Sequence, residues 1–257
     1  MNNGVVKNMN YKLDSFYKDL EQLHIELSDE QVNQFIKYYE LLIEWNSFMN
    51  LTAITDFDEV FKKHFTDSLS LVQAESYIMD ICGRDVREES ISVIDIGTGA
   101  GFPGIPLKIA FPNLKITLLD SLNKRVKFLN EVINQLGLKD IKAVHGRAED
   151  FAKNIEFRDS FDICVSRAVA NMSTLSEYCI PFVKVNGLFI PYKSEKITEE
   201  LASANNALNI LGGKVVDQID YNLPDSDYYR NLVIVKKEKE TPKKYPRKAG
   251  LPSKEPL

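Results

Sequence analysis

The stretch from Val93 to Pro106 reads VIDIGTGAGFPGIP and decides the fold class. Four glycines lie within eight positions, directly after a short apolar run that carries an acid, Asp95. Glycine permits positive φ angles and lets a ligand approach the backbone closely. In an open parallel sheet, ligands bind beyond the carboxyl ends of the strands. The stretch therefore predicts a strand followed by a turn that holds part of a nucleotide-like cofactor.

Strand-like and helix-like segments alternate around this turn. Seven apolar segments are predicted as strands: 91–95, 114–120, 141–145, 161–166, 187–192, 214–222 and 230–237. Amphipathic helical segments separate the first five, and we expect Ser121 to cap the helix after the second. This alternation indicates a parallel sheet covered on both faces. The last two strands have only a loop between them and should pair antiparallel.

The same pattern divides the chain into three parts. Residues 1–80 are predicted as an N-terminal helical segment packed on the core, with a capping box at 28–31 and a second helix over 56–74. Residues 90–237 are the alternating α/β domain. Residues 238–257 are rich in proline and basic residues and lack apolar periodicity, so they are predicted as an extended basic tail.

Composition indicates an ordinary globular protein of 257 residues, with 44% hydrophobic and 27% charged residues. No apolar run is long enough to predict a membrane-spanning helix. The three cysteines show no C-x-x-C spacing, which argues against a zinc site and favours a reducing, cytoplasmic compartment. We expect a monomer without a metal.

Charge is distributed unevenly along the chain. The formal net charge is −5, yet residues 236–257 hold eight basic residues and three glutamates, a balance of +5. A basic tail on an acidic body suggests a polyanionic partner that is met at one place. A lysine-rich terminus that only aids solubility is the alternative, and composition alone does not separate the two.

Two cofactor classes compete for the glycine turn. The dinucleotide pattern G-x-G-x-x-G fits residues 99–104, and Asp120 follows at the expected distance. Three features count against it. The turn begins earlier, at Gly97; Asp95 has the wrong charge for a pyrophosphate; and Pro103 lies where the phosphate-binding helix should open.

S-adenosylmethionine carries no phosphate and fits the acids better. A carboxylate at the end of the second strand, Asp120, can accept protons from both ribose hydroxyls, and the stretch HGRAED at 145–150 can bind the adenine edge. Each acid also has a plain structural interpretation. Asp120 can cap a helix, Asp95 can brace the loop, and Glu149 can lie in a solvated first helical turn.

Five motifs together resemble one known family. They are D-x-G-T-G-x-G-F-P-G from Asp95, TLLDSLNKRVKFL from Thr117, GRAED, SRAVA and the ending PRKAGLPSKEPL. From about Trp45 to the last residue the chain closely resembles the bacterial small-subunit ribosomal RNA methyltransferase G family, also called the glucose-inhibited division protein B family. The glycine motif alone indicates only a class I methyltransferase, whereas the other motifs are more specific.

The resemblance implies a fold and a reaction. The fold is that of a class I S-adenosylmethionine-dependent methyltransferase, α/β and Rossmann-like, with a seven-stranded mostly parallel sheet and an N-terminal helical segment. The reaction transfers a methyl group to N7 of a guanine in the 530 loop of the decoding region of 16S rRNA, on naked rRNA or on the small ribosomal subunit. By resemblance and by the pattern of the turn, the expected cofactor-binding residues are Asp95, Gly97, Gly99, Gly101, Phe102, Asp120, Ala148, Glu149 and Arg167.

Guanine N7 has a free lone pair, so the in-line displacement needs no general base. We therefore assign no catalytic residue and give Arg167, at the end of a strand, a positioning role. An ion pair with a neighbouring acid is its alternative. Tyr192 could stack on a base or lie at the rim of the site.

Basic residues in three places are expected to bind RNA phosphates. They are Lys124 and Arg125 at the start of a helix, Lys193 at a strand end, and Lys243, Lys244, Arg247, Lys248 and Lys254 in the tail. We expect the tail to be poorly ordered or docked beside the cofactor mouth without RNA. Its deletion should abolish rRNA methylation and leave cofactor binding intact.

Three other functions fit parts of the pattern. A small-molecule methyltransferase of the same fold would need no tail. A nicotinamide-dependent oxidoreductase would bind NAD at the glycine turn. A binding module would hold RNA without chemistry.

Overall fold

The computed structural model describes residues 11–167, 170–195 and 197–257. Its centre is a seven-stranded sheet in the order β3-β2-β1-β4-β5-β7-β6. The strands are β1 Ser92–Ile96, β2 Lys115–Asp120, β3 Ile141–His145, β4 Phe161–Arg167, β5 Val183–Lys193, β6 Gly213–Asn222 and β7 Tyr229–Lys237. The first five are parallel, and β7 runs antiparallel between β5 and β6. The predicted mostly parallel sheet is confirmed.

Helices precede, separate and follow the strands. They are α1 Asp14–Gln22, α2 Asp29–Met49, α3 Phe57–Val60, α4 Asp67–Leu69, α5 Glu75–Cys82, α6 Gly104–Ala110, α7 Asn123–Gln135, α8 Ala148–Phe151, α9 Met172–Cys179, α10 Thr198–Leu211 and α11 Leu251–Lys254. A π-helical turn over Phe61–Thr66 joins α3 to α4, and 3₁₀ turns cover Ser70–Ala74 and Ile180–Phe182.

The glycine turn lies where the strand order reverses. Strand β1 pairs with β2 on one side and with β4 on the other, so the chain leaves the centre of the sheet in both directions. The turn follows Ile96 directly, and α6 begins at Gly104. Such a reversal opens a crevice at the carboxyl ends of the strands, which places the turn where ligands of open α/β sheets bind.

The N-terminal helices share their core with the sheet. Buried residues of α2, among them Phe35 and Tyr38, belong to the same hydrophobic cluster as Leu118 of β2. The predicted capping box is present: the Ser28 hydroxyl accepts from the Gln31 N–H, and the Gln31 side chain accepts from the Ser28 N–H. The Gln31 amide also donates to carbonyl oxygens at the end of α6, which ties the start of α2 to the sheet domain.

The helix predicted over residues 56–74 is not continuous. It is divided into α3, the π-helical turn, α4 and a 3₁₀ turn. In this irregular stretch, a side-chain hydroxyl and a cation from a distant segment lie against backbone carbonyl oxygens. The Ser68 hydroxyl donates to the His64 carbonyl, and Arg167 Nη1 lies 3.4 and 3.5 Å from the His64 and Lys63 carbonyl oxygens. Apolar periodicity alone did not reveal this interruption.

The cap of α7 also differs from the prediction. Ser121 makes no cap; the helix begins at Asn123, with Leu122 at the N-cap and no side-chain cap bond. Asp120 Oδ1 instead accepts from the Leu122 N–H at 2.8 Å. The carboxylate of Asp120, at the end of β2, thus makes the hydrogen bond that was expected from the Ser121 hydroxyl near the start of α7.

Cys82, Cys164 and Cys179 are free thiols. In the part of the chain that the structure describes, no helix combines the length and apolar character that a membrane crossing requires.

Candidate functional site

Asp95 braces the glycine turn from inside the protein. Its Oδ2 accepts from the Thr98 hydroxyl at 2.6 Å and from the Gly104 N–H at 3.0 Å. Its Oδ1 has no hydrogen-bond partner among the described residues. Burial raises the pKa of this carboxyl to about 6, against the lowering effect of both bonds. These contacts agree with the interpretation that Asp95 braces the loop.

Asp120 fixes the same turn from the neighbouring strand. Its Oδ2 accepts from the Gly99 N–H at 3.0 Å, and Arg125 Nη1 lies 3.4 Å from that oxygen. Its other oxygen accepts from Leu122, as described above. Two backbone N–H groups and one cation therefore hold the carboxylate in a single orientation at the end of β2.

A cavity of about 340 Å³ opens beside the turn, and we call it the turn cavity. It is lined by residues at the ends of β1, β2 and β3, by α8 and α9, and by the C-terminal tail: Ile96, Gly97, Leu119, Ser121, Gly146, Arg147, Ala148, Glu149, Tyr178, Gly250 and Ser253. Three of the expected cofactor residues, Gly97, Ala148 and Glu149, line this cavity. Its volume lies within the range of small-ligand pockets.

Glu149 is buried rather than solvated. Glu149 is only 5% exposed, and its Oε1 accepts a hydrogen bond from the Gly250 N–H of the tail at 2.8 Å. The alternative interpretation of Glu149, a solvated first helical turn, is therefore wrong, because a segment about a hundred residues later covers it. Asp150, the next residue, is exposed.

A second cavity of about 360 Å³ lies at the ends of β4 and β5, and we call it the arginine cavity. It is lined by Lys63, His64, Asp67, Arg167, Tyr192, Lys193, Ser194, Glu195, Ile197, Glu200 and Arg230. Leaving His64 aside, four of these residues are cationic and three are acidic. The lining is therefore polar and carries one more cation than acids.

Asp67 joins the two arginines of this cavity. Its Oδ2 accepts from Arg167 Nη1 and its Oδ1 from Arg230 Nε, both at 2.8 Å. Asp67 is 3% exposed, so both arginines are held by a buried charge. Arg167 thus makes the ion pair that was its alternative role, and this pair also fixes the direction of its guanidinium.

Phe102 connects the glycine turn to the arginine cavity. The His64 ring stacks on the Phe102 ring, with centroids 4.5 Å apart and planes 16° apart. The Arg167 guanidinium lies 5.1 Å from the centre of the same ring. Phe102 and Arg167, both expected cofactor residues, thus lie together and are not among the residues that line the turn cavity.

His64 stays neutral in this environment. Burial and the neighbouring Arg167 lower the pKa of His64 to about 3, and Nε2 lies 2.8 Å from the Thr52 hydroxyl. A histidine with a folded pKa below its unfolded value of about 6.5 stabilises the protein above pH 6.5. That contribution is lost as the pH falls from 6.5 toward 3.

We expect the His64→Phe variant to lose less stability on acidification than the unmodified protein. At pH 5 the histidine accounts for a loss on the order of 2 kcal/mol relative to pH 8, and phenylalanine keeps the stacked ring without titrating. Urea unfolding of both proteins at pH 8 and pH 5 measures the difference. Equal losses in the two proteins would show that His64 does not resist protonation.

The strand-end residues near the arginine cavity are already paired. Lys193 Nζ donates to Glu200 Oε1 at 2.7 Å and to the Ala170 carbonyl at 3.1 Å. The Tyr192 hydroxyl donates to the Ser68 carbonyl at 2.9 Å, and this residue is buried. The structure therefore places Tyr192 as a packing residue and leaves Lys193 partly buried at the rim of the cavity.

The remaining expected RNA contacts lie on two surfaces. Lys124 is exposed at the start of α7, beside Arg125, which is engaged with Asp120. In the tail, Lys243, Lys244, Lys248 and Lys254 are exposed, whereas Arg247 is not free: it makes a bidentate contact with Glu177. Four tail cations therefore face solvent and one holds the tail in place.

Sequence reasoning did not single out His64, Asp67, Glu177 or Arg230. Asp67 and Glu177 lie in segments that sequence reading assigned to helices, where an acid normally faces water. The sequence offered one signal for the arginine cavity, the basic residue Arg230 at the start of a predicted strand. It did not show that Asp67 is the acid with which Arg230 pairs.

Comparison with known proteins places these features in a family. The model of the GidB family, described as rRNA small subunit methyltransferase G, matches residues 31–223. A ribosomal RNA small subunit methyltransferase G of Lachnoclostridium phytofermentans is 56% identical, over 95% of this chain and 96% of its own length. A protein of the same name from Lactococcus lactis subsp. lactis is 46% identical, over 95% of this chain and 98% of its own.

Solved structures share the fold at low identity. The crystal structure of MtNAS in complex with MTA and tNA is 15% identical, with a TM-score of 0.53, over 80% of this chain and 70% of that one. At this identity the likeness concerns the arrangement of the sheet and helices.

Proposed function

The chain belongs to the rRNA small subunit methyltransferase G family, and from this premise we propose that it transfers a methyl group from S-adenosylmethionine to N7 of a guanine in 16S rRNA. The observation that carries the proposal is the extent of the similarity: the family model matches residues 31–223, which contain the turn and the arginine of β4, and a relative is 56% identical over 95% of the chain. The proposal also specifies that the methylated atom is N7 and that the guanine lies in the 530 loop of the decoding region.

The residues of the turn cavity suit S-adenosylmethionine. Asp120 lies between the lining residues Leu119 and Ser121, is held by two N–H groups, and would accept hydrogen bonds from the ribose hydroxyls. Ala148 and Glu149 line the cavity where an adenine edge would lie. The cofactor supplies a methyl group on a positively charged sulfur. The acids Asp120 and Glu149 beside the cavity favour such a cation and disfavour the pyrophosphate of a dinucleotide.

The arginine cavity is where we place the acceptor nucleotide. Single-stranded RNA is recognised by stacking of unstacked bases on aromatic rings and guanidinium planes, with cations on the phosphates. His64, whose ring stacks on Phe102, and Arg167 both line this cavity. Lys63 and Arg230 add positive charge to the same cavity.

The side chains position the reactants rather than move a proton. N7 of guanine carries a lone pair and no proton, so no base has to be found in the cavity. His64, neutral at physiological pH, offers an uncharged ring and does not repel a cation. Arg167 is a positioning residue, because Asp67 and Phe102 fix its direction. Correct alignment of two bound reactants is worth several kcal/mol of the barrier.

The partner follows from this reaction. We propose that the chain acts in the cytoplasm, as a monomer, on 16S rRNA or the small ribosomal subunit. The exposed lysines Lys124, Lys243, Lys244, Lys248 and Lys254 supply phosphate contacts.

Methyl transfer from labelled S-adenosylmethionine to RNA tests the proposal. The substrates are unmodified 16S rRNA and small subunits that lack the modification, with fully modified subunits as the matched control. We expect label in 7-methylguanosine at one guanine of an unmodified substrate and none in the control.

Other outcomes separate the alternatives. Label in another nucleoside would contradict the N7 assignment and keep the RNA methyltransferase. Cofactor binding without labelled RNA would favour a small-molecule acceptor. Binding of NAD without binding of S-adenosylmethionine would favour the oxidoreductase, and RNA binding without turnover would favour a binding module.

A further inference from the structure

The C-terminal tail, residues 238–257, is docked on the sheet domain through a series of partly buried contacts from Thr241 onward. The Arg158 guanidinium donates to the Thr241 carbonyl at 2.6 Å and to the Tyr245 carbonyl at 2.9 Å. Tyr245 belongs to the hydrophobic cluster on the second face of the sheet. The first part of the tail is therefore fixed before it reaches the turn cavity.

An ion pair anchors the middle of the tail. Glu177 of α9 is completely buried, and it accepts from the Arg247 side chain at 2.6 and 3.0 Å and from the Arg247 backbone N–H at 2.7 Å. Removing one member of such a pair leaves a buried charge uncompensated, which is strongly destabilising. The contact therefore determines where the following residues lie.

The residues after this anchor form part of the wall of the turn cavity. Gly250 and Ser253 line it, together with Gly97 and Glu149. The Gly250 N–H donates to Glu149 Oε1 at 2.8 Å, and the Thr174 hydroxyl donates to the Pro252 carbonyl at 3.0 Å. The cavity of about 340 Å³ remains open with the tail in place, so the docked tail encloses the cavity without filling it.

We propose that residues 250–253 are a component of the cofactor site, which close the turn cavity and hold the Glu149 carboxylate in its binding orientation. This inference rests on the proposed function for the identity of the cofactor. It differs from the expectation from sequence that deletion of the tail leaves cofactor binding intact.

Two consequences follow from thermodynamic linkage. A ligand that binds only the docked form stabilises docking by a factor of 1 + [L]/Kd. Release of the tail must in turn weaken ligand binding, because linkage between the two equilibria is reciprocal. Tail docking and cofactor occupancy therefore rise and fall together.

Two truncations separate the cavity wall from the anchors. A chain that ends at Ala249 keeps the contacts of Arg158 and Arg247 and loses the wall, whereas a chain that ends at Lys254 keeps both. The probe is S-adenosylhomocysteine, with affinity measured by calorimetry. We expect about a tenfold weaker affinity for the chain ending at Ala249, since it loses a hydrogen bond that orients a charged group, and an unchanged affinity for the chain ending at Lys254.

Each outcome has a defined meaning. Equal affinities in the full chain and in the chain ending at Ala249 would overturn the inference and leave the proposed function standing. No binding of S-adenosylhomocysteine to the full chain would overturn the proposed cofactor itself, and with it this inference. Thermal unfolding of both truncations without ligand identifies a general loss of stability.

Limited trypsin digestion of the full chain gives a second readout that needs no variant. Lys248 is exposed between the Arg247 anchor and Gly250, so its cleavage requires local release of the tail. S-adenosylhomocysteine at ten times its Kd should slow this cleavage about tenfold. Cleavage at the exposed Lys139, which precedes β3 at the end of that strand opposite to the turn cavity, is the internal control. An unchanged rate at Lys248 would contradict the linkage.

Discussion

The Asp120→Asn variant is expected to bind S-adenosylhomocysteine about 100-fold more weakly than the unmodified protein. Hydrogen bonds to a charged group contribute roughly 1.5–3 kcal/mol, and a loss of about 3 kcal/mol corresponds to about 100-fold in affinity. The substitution also disturbs the turn, because the two carboxylate oxygens accept from different N–H groups, those of Gly99 and Leu122. Whichever way the amide lies, its NH₂ group meets one of these donors.

Calorimetric titration of the variant measures the effect. Asp150→Asn is the matched control, because it removes the same charge from an exposed acid close to the turn cavity, and its affinity should stay unchanged. An Asp120→Asn protein with normal affinity would show that this carboxylate only braces the turn. Thermal unfolding without ligand separates weakened binding from a misfolded turn.

The Gly101→Ala variant is expected to lower the free energy of unfolding by about 2–4 kcal/mol. Gly101 has a φ of +103°, outside the range that an alanine adopts readily. An added Cβ would lie 2.6 Å from both the Tyr38 hydroxyl and Ile105 Cδ1. Backbone strain and overpacking of a buried contact then add, each on the order of 1–3 kcal/mol.

Gly137→Ala separates these two causes. Gly137 has a φ of +64° and open space where a Cβ would lie, so only backbone strain of about 1 kcal/mol is expected. Urea unfolding of both variants gives the comparison. Equal losses would mean that the space around Gly101 is not limiting. Adding Tyr38→Phe to Gly101→Ala should recover part of the loss, because one of the two contacts is removed.

Local pattern was sufficient for most of the fold. The alternation of apolar strands and amphipathic helices predicted the seven strands with ends that differ by a few residues, and the capping box at Ser28 and Gln31 was located from two side chains. These features depend on residues close in sequence: the period of burial, the first turn of a helix, and the glycines after β1. The turn itself, braced by Asp95 and Asp120, was recognisable because its residues must adopt positive φ next to a strand end.

The candidate site was predictable only where it follows the strands. Gly97, Ala148 and Glu149 were expected from the glycine turn and the end of β3, and they line one cavity. The arginine cavity was only partly anticipated, through Arg167 and Lys193. Its central acid, Asp67, lies 100 residues from Arg167 and 163 residues from Arg230, and nothing in its local sequence distinguishes it from a solvated helix residue.

The sequence by itself determined the sheet, the turn and the family motifs, because periodicity, glycine and capping act over a few residues. Only the tertiary structure decided which charges are buried. Asp67 is enclosed by Arg167 and Arg230, and Glu177 by Arg247, so each acid loses water only when a cation from a distant segment replaces it. The same holds for the tail, which composition alone represents as a soluble basic terminus and which the fold places against Glu149 as a wall of the turn cavity.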